Sequence, residues 1–351
     1  MTRRLAEVAE RVGVSEATVS RVLNSKPGVS DATRQAVLTA LDVLGYERPT
    51  QLRGVRARLV GLVMPELQNP IFPALAEVVG GALVQLGFTP VLCTRTAGGL
   101  TEAEYVTMLL DQQVSGVVFC GGLSADEHAA LLERRVPVVL LNAAVDFAAV
   151  RTDTALGFPQ VSTDDAAAVQ QAYAHLTSLG HRRIGLMVGP ADHTPSRRKA
   201  AAFTALTATN GRGHHPIGHA LFSFEGGQAV AGDLITAGVT ALICGSDVLA
   251  LGAVRAARRK GLTVPGDFSV VGYDDSAFMN YTDPPLTTLR QPIEAMSRAA
   301  VTLLANQISG NNPTPKELLH EPELVVRGST APPARPDAPA LPATRGQRVP
   351  A

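Results

Sequence analysis

From Leu59 onward the chain repeats one unit: a short apolar run, then a stretch long enough for a helix, then another apolar run. LVGLVM, FTPVLC, SGVVFC and VPVVLL follow one another about one helix apart, and segments between them such as 73–87 and 101–113 read as helices. This is repeated βα, which predicts a parallel sheet with helices on both faces. A second series restarts after residue 160 with RIGLMV, ALIC and FSVVGY, and with helices near 164–179, 195–209, 226–237 and 246–260. Two series predict an α/β body of two doubly wound lobes spanning 59–330. The first lobe takes 59–159 and 291–320, the second 160–290 and 321–330. Residues 331–351 hold six Pro and six Ala without periodicity, which predicts a disordered tail.

The first 46 residues follow a different rule. LAEVAERVG places Leu5, Val8, Ala9 and Val12 at helical spacing, Gly13 permits a sharp turn, and Ser15 can cap a second helix, SEATVSRVLN. After the KPG turn, Ser30 can cap a third helix. A small residue in the first helix (Ala9), a turn glycine (Gly13) and interlocking Val14, Val19 and Val22 are the requirements of a helix-turn-helix, met within Leu5–Asn24. The outward face of the second helix carries Glu16, Ala17, Ser20, Arg21 and Asn24. Arg21 can fork onto guanine O6 and N7, Glu16 can accept from cytosine N4, and the Ala17 methyl can pack on a thymine methyl. Ser15, Thr18 and Asn24 suit phosphate oxygens, which position the helix. Charge agrees: residues 1–58 hold ten Lys/Arg against six Asp/Glu, a balance of +4, while the whole chain is neutral and the remainder therefore −4. Nucleic acid is expected to meet the head only.

Ligands of open α/β sheets sit at the carboxyl ends of the strands. The polar groups placed there are Gln68, Asn69 and Phe72 after the first strand and Asn142 after the fourth. In the second lobe they are Ser246 and Asp247 after ALIC, and Asp274 and Asp275 after SVVGY; Gln291 stands at a lobe crossing. Carboxylates and amides suit sugar hydroxyls, with Phe72 or Phe222 as a stacking face. Asp247 and Asp275 are equally explained as a helix cap and a turn cap. His215 and His219 are four apart in a turn-rich stretch without a third ligand, so no metal is expected. His181 is expected to be structural. Cys93, Cys120 and Cys244 lie far apart in or at the end of apolar runs, as reduced buried thiols do. No P-loop, G-x-S-x-G or dinucleotide fingerprint is present, so neither an enzyme nor a cofactor is expected. No export leader or membrane span is read, which points to a cytoplasmic protein and away from an exported sugar-binding protein without DNA function.

The string LAEVAERVGVSEATVSRVLNSKPGVSDATRQAVLTALDVLGY closely resembles the start of LacI/GalR-family transcriptional regulators. The resemblance continues through GLVMPELQNPIF, HLTSLGHRRIGLMVGP, CGSDVLALGAVRAARRKGLTVPGDFSVVGYDDSAF and PPLTTLRQPI, and so covers about residues 3–330. It implies a three-helix DNA-binding domain over 1–46, a hinge over 47–58 and a periplasmic-binding-protein-like body. It also implies a homodimer on a palindromic operator and a small sugar effector between the lobes. Glu16, Ala17 and Arg21 fall on the family's base-reading positions. Phe72, Ser246, Asp274 and Gln291 fall on cleft positions. The hinge leucine that wedges into the minor groove corresponds to Leu52, nine residues before Gly61, with Val55 as the alternative. The hinge is about three residues shorter than usual, and Gly54 lowers its helix propensity by about 1 kcal/mol relative to alanine. The family's sugar-gripping arginine is replaced by Lys199 in PSRRKAAAF, a point charge without a fork, with Arg198 as a possible substitute. ERPTQLRG, PELQNPIF and GPADHTPSRRK are most similar to actinobacterial maltose-regulon repressors, which implies an α-glucoside effector such as maltose or a maltodextrin.

Overall fold

The structure, a computed structural model, describes residues 8–23, 28–43, 58–94, 99–100, 102–121, 136–142, 158–210, 215–311 and 317–334. Leu5, Asn24, Leu52, Val55 and the tail from Arg335 lie outside the described residues, as does the hinge except for Arg58. The chain divides into two units, Met1–Arg58 and Leu59–Ala351.

In the first unit, residues 8–12 are helical (α1), followed by α2 (Glu16–Leu23) and α3 (Asp31–Val43). Two S-x-x-T sequences start the latter two helices. Ser15 Oγ accepts from Thr18 N–H and Ser30 Oγ from Thr33 N–H, each at 3.2 Å, answering donors that a helix start leaves unpaired. Gly13 takes φ +72°, which an L side chain rarely adopts, and lets Val14 N–H return to Ala9 C=O at 3.0 Å. The turn thereby folds α2 back on α1. Val8, Ala9, Val19, Val22, Val37 and Ala40 form the core. Val19 and Val37 are fully buried, each stabilising the unit by about 1.5–3 kcal/mol.

The second unit holds two six-stranded sheets. The first lobe contains β1 (Leu59–Met64), α4 (Ile71–Gln85), β2 (Thr89–Thr94), α5 (Glu102–Asp111), β3 (Gly116–Cys120), β4 (Val138–Leu141) and β5 (Gln160–Thr163). The chain then crosses at Asp164. The second lobe contains α6 (Asp165–Ser178), β6 (Ile184–Val188), α7 (Thr194–Asn210), β7 (Ile217–His219), α8 (Phe224–Thr236), β8 (Ala241–Cys244), α9 (Asp247–Arg259), β9 (Ser269–Asp274) and β10 (Thr287–Arg290). It crosses back at Gln291 for α10 (Ile293–Ile308) and β11 (Glu317–His320), and once more for β12 (Glu323–Val325). Strand order is β11-β5-β4-β3-β1-β2 in one sheet and β12-β10-β9-β8-β6-β7 in the other. All pairings are parallel except β10 with β12. Such sheets need both faces covered. One core lies between sheet one and α4 with α10, a second on its other face, and two more flank sheet two.

Two boundaries differ from the sequence reading. QVST, assigned to the second lobe from residue 160, pairs instead with β4 and β11, so the first crossing falls at Asp164. Four residues of mixed polarity do not reveal their sheet; the pairing does. The composition also predicts that the tail begins at 331. Ala331 is instead anchored: its N–H donates to Ser269 Oγ at 3.0 Å and its C=O accepts from His181 Nε2 at 2.9 Å.

Candidate functional site: the interlobe cleft and the recognition helix

In each sheet the strand order reverses beside one strand, between β1 and β3 in the first and between β6 and β8 in the second. Ligand crevices open at the carboxyl ends of such strands. The loops there, Pro65–Asn69 with Gly121 and Pro190–His193 with Gly245, line a cavity of about 580 Å3 between the lobes. Its floor is a chain of hydrogen bonds. Gln291 Oε1 accepts from Asn142 Nδ2 and Thr163 Oγ1, each at 2.6 Å, while its Nε2 donates to Asp274 Oδ1 at 2.6 Å. Asn69 Nδ2, from the first lobe, reaches Asp274 Oδ2 at 3.4 Å. Burial holds the Asp274 carboxyl well above its usual range, with Asp247 adding to the effect; the Gln291 and Asn69 donors and the charge of Lys199 oppose it.

The wall from the second lobe is built around Asp165. Lys199 Nζ meets Asp165 Oδ1 at 2.5 Å, both side chains only 7% exposed, and the same oxygen accepts from Tyr273 O–H at 3.0 Å. The ammonium also lies 4.0 Å above the Tyr273 ring, a cation–π contact. A compact ammonium can sit between carboxylate and ring face, which accounts for a lysine where a forked arginine was expected. Next to it, His193 Nδ1 shares a hydrogen bond with Ser196 Oγ at 3.1 Å and stands edge-on to Phe222, with ring centroids 5.3 Å apart. Burial, then Lys199, lowers the His193 pKa to about 4, so it is neutral at pH 7. Phe222 rests on the backbone of Gly189, where a Cβ would come within 2.2 Å of the ring. Any other residue at 189 would push the aromatic wall out of place.

Phe72, Asn142, Lys199, Phe222, Asp274 and Gln291 therefore share one cavity, with Gln68 and Asn69. Ser246 is not among its lining residues. It is a buried N-cap of α9, its Oγ accepting from Leu249 N–H at 3.2 Å, because a serine before a helix-forming run answers the helix's own donors first. Arg198 does not replace Lys199 in the cleft; it pairs with Glu317. Asp247 accepts from Ser276 N–H at 2.8 Å and Thr288 O–H at 2.6 Å, and Asp275 from Arg290 and Arg327 at 2.7 and 2.6 Å, so both tie β9 to β10 and its neighbours. Asp165, Tyr273 and His193 escaped the sequence reading. The signal for Asp165 was present: in TDDAAAV the first aspartate caps α6 through Ala166 and Ala167 N–H, leaving the second to look elsewhere.

His181 bonds Thr240 Oγ1 at 2.9 Å and Ser269 Oγ at 3.1 Å, a structural role. His215 and His219 each bond a backbone carbonyl, and no three His, Cys, Asp or Glu among the described residues form a metal site. Cys93, Cys120 and Cys244 are free and buried. No helix among the described residues is long and apolar enough to cross a membrane.

On the first unit, Glu16, Ala17 and Arg21 are exposed on α2, opposite buried Val19 and Val22, and Ser20 is half-buried. Ser15 and Thr18 also bond each other, Oγ to Oγ1, at 2.9 Å. A helix-turn-helix head joined to a two-lobed, cleft-bearing α/β body defines a ligand-responsive DNA-binding regulator. Residues 4–49 match the family described as bacterial regulatory proteins, lacI family, and residues 173–330 the periplasmic binding protein-like domain. The regulator MalR of Streptomyces coelicolor is 50% identical over 344 residues, covering 94% of this chain and 97% of MalR. Among solved structures, the transcriptional regulator CelR–cellobiose complex is 32% identical with a TM-score of 0.67, covering 93% of this chain and 99% of that one. The lac repressor dimer bound to operator and the anti-inducer ONPF is 28% identical with a TM-score of 0.72, covering 92% and 98%. The chain belongs to the LacI family of transcriptional regulators.

Proposed function

We propose that the protein is a cytoplasmic homodimeric repressor of a palindromic operator, released by an α-glucoside such as maltose or a short maltodextrin. The observation that carries the effector half is the interlobe hydrogen-bond chain Asn69–Asp274–Gln291–Asn142, bordered by Phe72 and Phe222. Carboxylate and amide groups in a row suit successive hydroxyls, and the rings suit the apolar faces of sugar rings. Lys199 and Asp165 satisfy each other, which suits holding a ligand rather than transforming it. In the head, Glu16, Ala17 and Arg21 read bases. Ser15, Thr18 and Asn24 position α2 on the backbone, Ser20 lies on the same DNA-facing side, and Leu52 wedges into the minor groove. The similarity to MalR and to a cellobiose-bound relative supports a glucoside.

Titrating purified protein into palindromes from its own locus, with and without maltose, tests this reading. Nanomolar-range binding that maltose relieves is expected. No binding to any of those palindromes would sink the repressor reading. A thermal shift with another sugar but none with maltose would sink the maltose assignment, because only a true ligand stabilises by mass action.

A further inference from the structure

Arg198 and Lys199 are neighbours on α7, so their side chains leave the helix about 100° apart. Lys199 enters the cleft. Arg198 reaches across to the first lobe: its two terminal nitrogens meet the two carboxylate oxygens of Glu317 at 2.5 and 2.9 Å. The two partners belong to different lobes. Ala200, Ala202, Phe203 and Leu206 pack α7 into the second lobe's core, whereas Glu317 begins β11, held opposite Gln160 in the first sheet. The pair is partly shielded, at 33% and 24% side-chain exposure, and its bidentate geometry fixes direction as well as distance. One turn of α7 is thus held on two sides, to the first lobe through Arg198 and to Asp165 and Tyr273 through Lys199.

We infer that the Arg198–Glu317 pair is an interlobe latch that positions Lys199 in the cleft and so sets the effector concentration at which the protein responds. Arg198 is a positioning residue: it keeps α7 at a fixed distance from the first lobe, and Lys199 inherits that placement. The affinity half of the inference rests on the cleft being the effector site; the latch half does not.

Two measurements on the full chain separate these halves. Spin labels at Asp111→Cys and Asp233→Cys, exposed on opposite lobes, report the interlobe distance without any ligand. The native thiols are at most 2% exposed and stay unlabelled, and dilution with unlabelled chain removes signals between subunits. R198M and E317Q are each expected to broaden that distance distribution. Each is also expected to raise the maltose concentration for half release of operator about two- to fivefold, the range a partly exposed ion pair supports. The double variant R198M/E317Q is expected to be no worse than either single variant, as for residues that act through each other. Unchanged distances, or additive effects in the double variant, would overturn the latch. Altered distances with an unmoved maltose midpoint would overturn the positioning of Lys199. If the unmodified protein ignores maltose, the effector reading falls while the distances still decide the latch.

Discussion

The two lobes share one frame and differ in what they hang on it. Both sheets run in the same order, with the reversal between the fourth and fifth strands of each, and both deliver loops to the same cleft. The first lobe contributes mostly neutral groups, Gln68, Asn69, Phe72 and Asn142, with Glu66 its one charged lining residue among the described residues. The second contributes Asp165, Asp192, His193, Lys199, Tyr273 and Asp274. The frame places the loops, and the chemistry is free to differ between them. The edge strands show where the symmetry fails. β11 runs parallel to its neighbour and β12 antiparallel. At the other two crossings the chain enters a helix that carries it back along the lobe. At the third, only Glu321 and Pro322 separate the strands, so β12 starts at the cleft end and must run against its sheet.

The largest effects are expected in the second lobe. Lys199→Met leaves Asp165 buried without its counter-ion, which should cost about 3–5 kcal/mol of stability in urea denaturation and abolish the maltose response. Asn69→Ala on the facing wall should cost about 1 kcal/mol. Equal losses at the two positions would break the contrast between the walls.

Acidity should sharpen it. Burial raises the Asp247 pKa to about 6, whereas an unfolded aspartate titrates near 3.9. The folded state therefore binds more protons between these values. Relative to Asp247→Asn, stability should fall by about 3 kcal/mol as pH rises from about 4 to above 6. His193 has the opposite sign. Its folded pKa of about 4 lies below the unfolded value near 6.5, so the unfolded state binds the extra proton. Relative to His193→Gln, stability should rise by about 3 kcal/mol over a similar interval. Parallel slopes from the two variants would contradict these assignments.

Outside both lobes, Arg21→Ala should weaken operator binding by about 1–3 kcal/mol and relax preference at one base pair, measured across single-base operator variants. Equal weakening on every sequence would make it a phosphate contact. The smallest effect belongs to an exposed pair on the first lobe. Glu294→Gln, beside Arg298 at 3.5 Å, should move stability by less than about 0.5 kcal/mol.

Periodicity and capping make most helices and strands legible, because both are local, though α10 (Ile293–Ile308) is not among the helices read. Ser15 and Ser30 start their helices as the S-x-x-T pattern implies, and the βα alternation describes both lobes. What stayed hidden depends on contacts distant in sequence. The sheet of β5 is decided by β4 and β11. Tyr273 reads as the end of an apolar strand until Lys199 is seen above its ring. Ser246 shows the converse error: a local signal, the helix cap, was passed over for a distant one. Lys199 stands out in the sequence by its place in a pattern, whereas its partner Asp165, 34 positions away, does not.

The anchoring of Ala331 has a practical side. His181, itself bonded to Thr240, and Ser269 hold it at the amino end of β9, whereas Asp274 meets the cleft at the carboxyl end of the same strand, five residues and about 17 Å away. Ala331 is thus pinned at the pole of the second lobe remote from the cleft. A fluorescent label on a cysteine put in place of Pro332, exposed beside that anchor, would therefore report from the pole and leave the mouth of the cleft accessible.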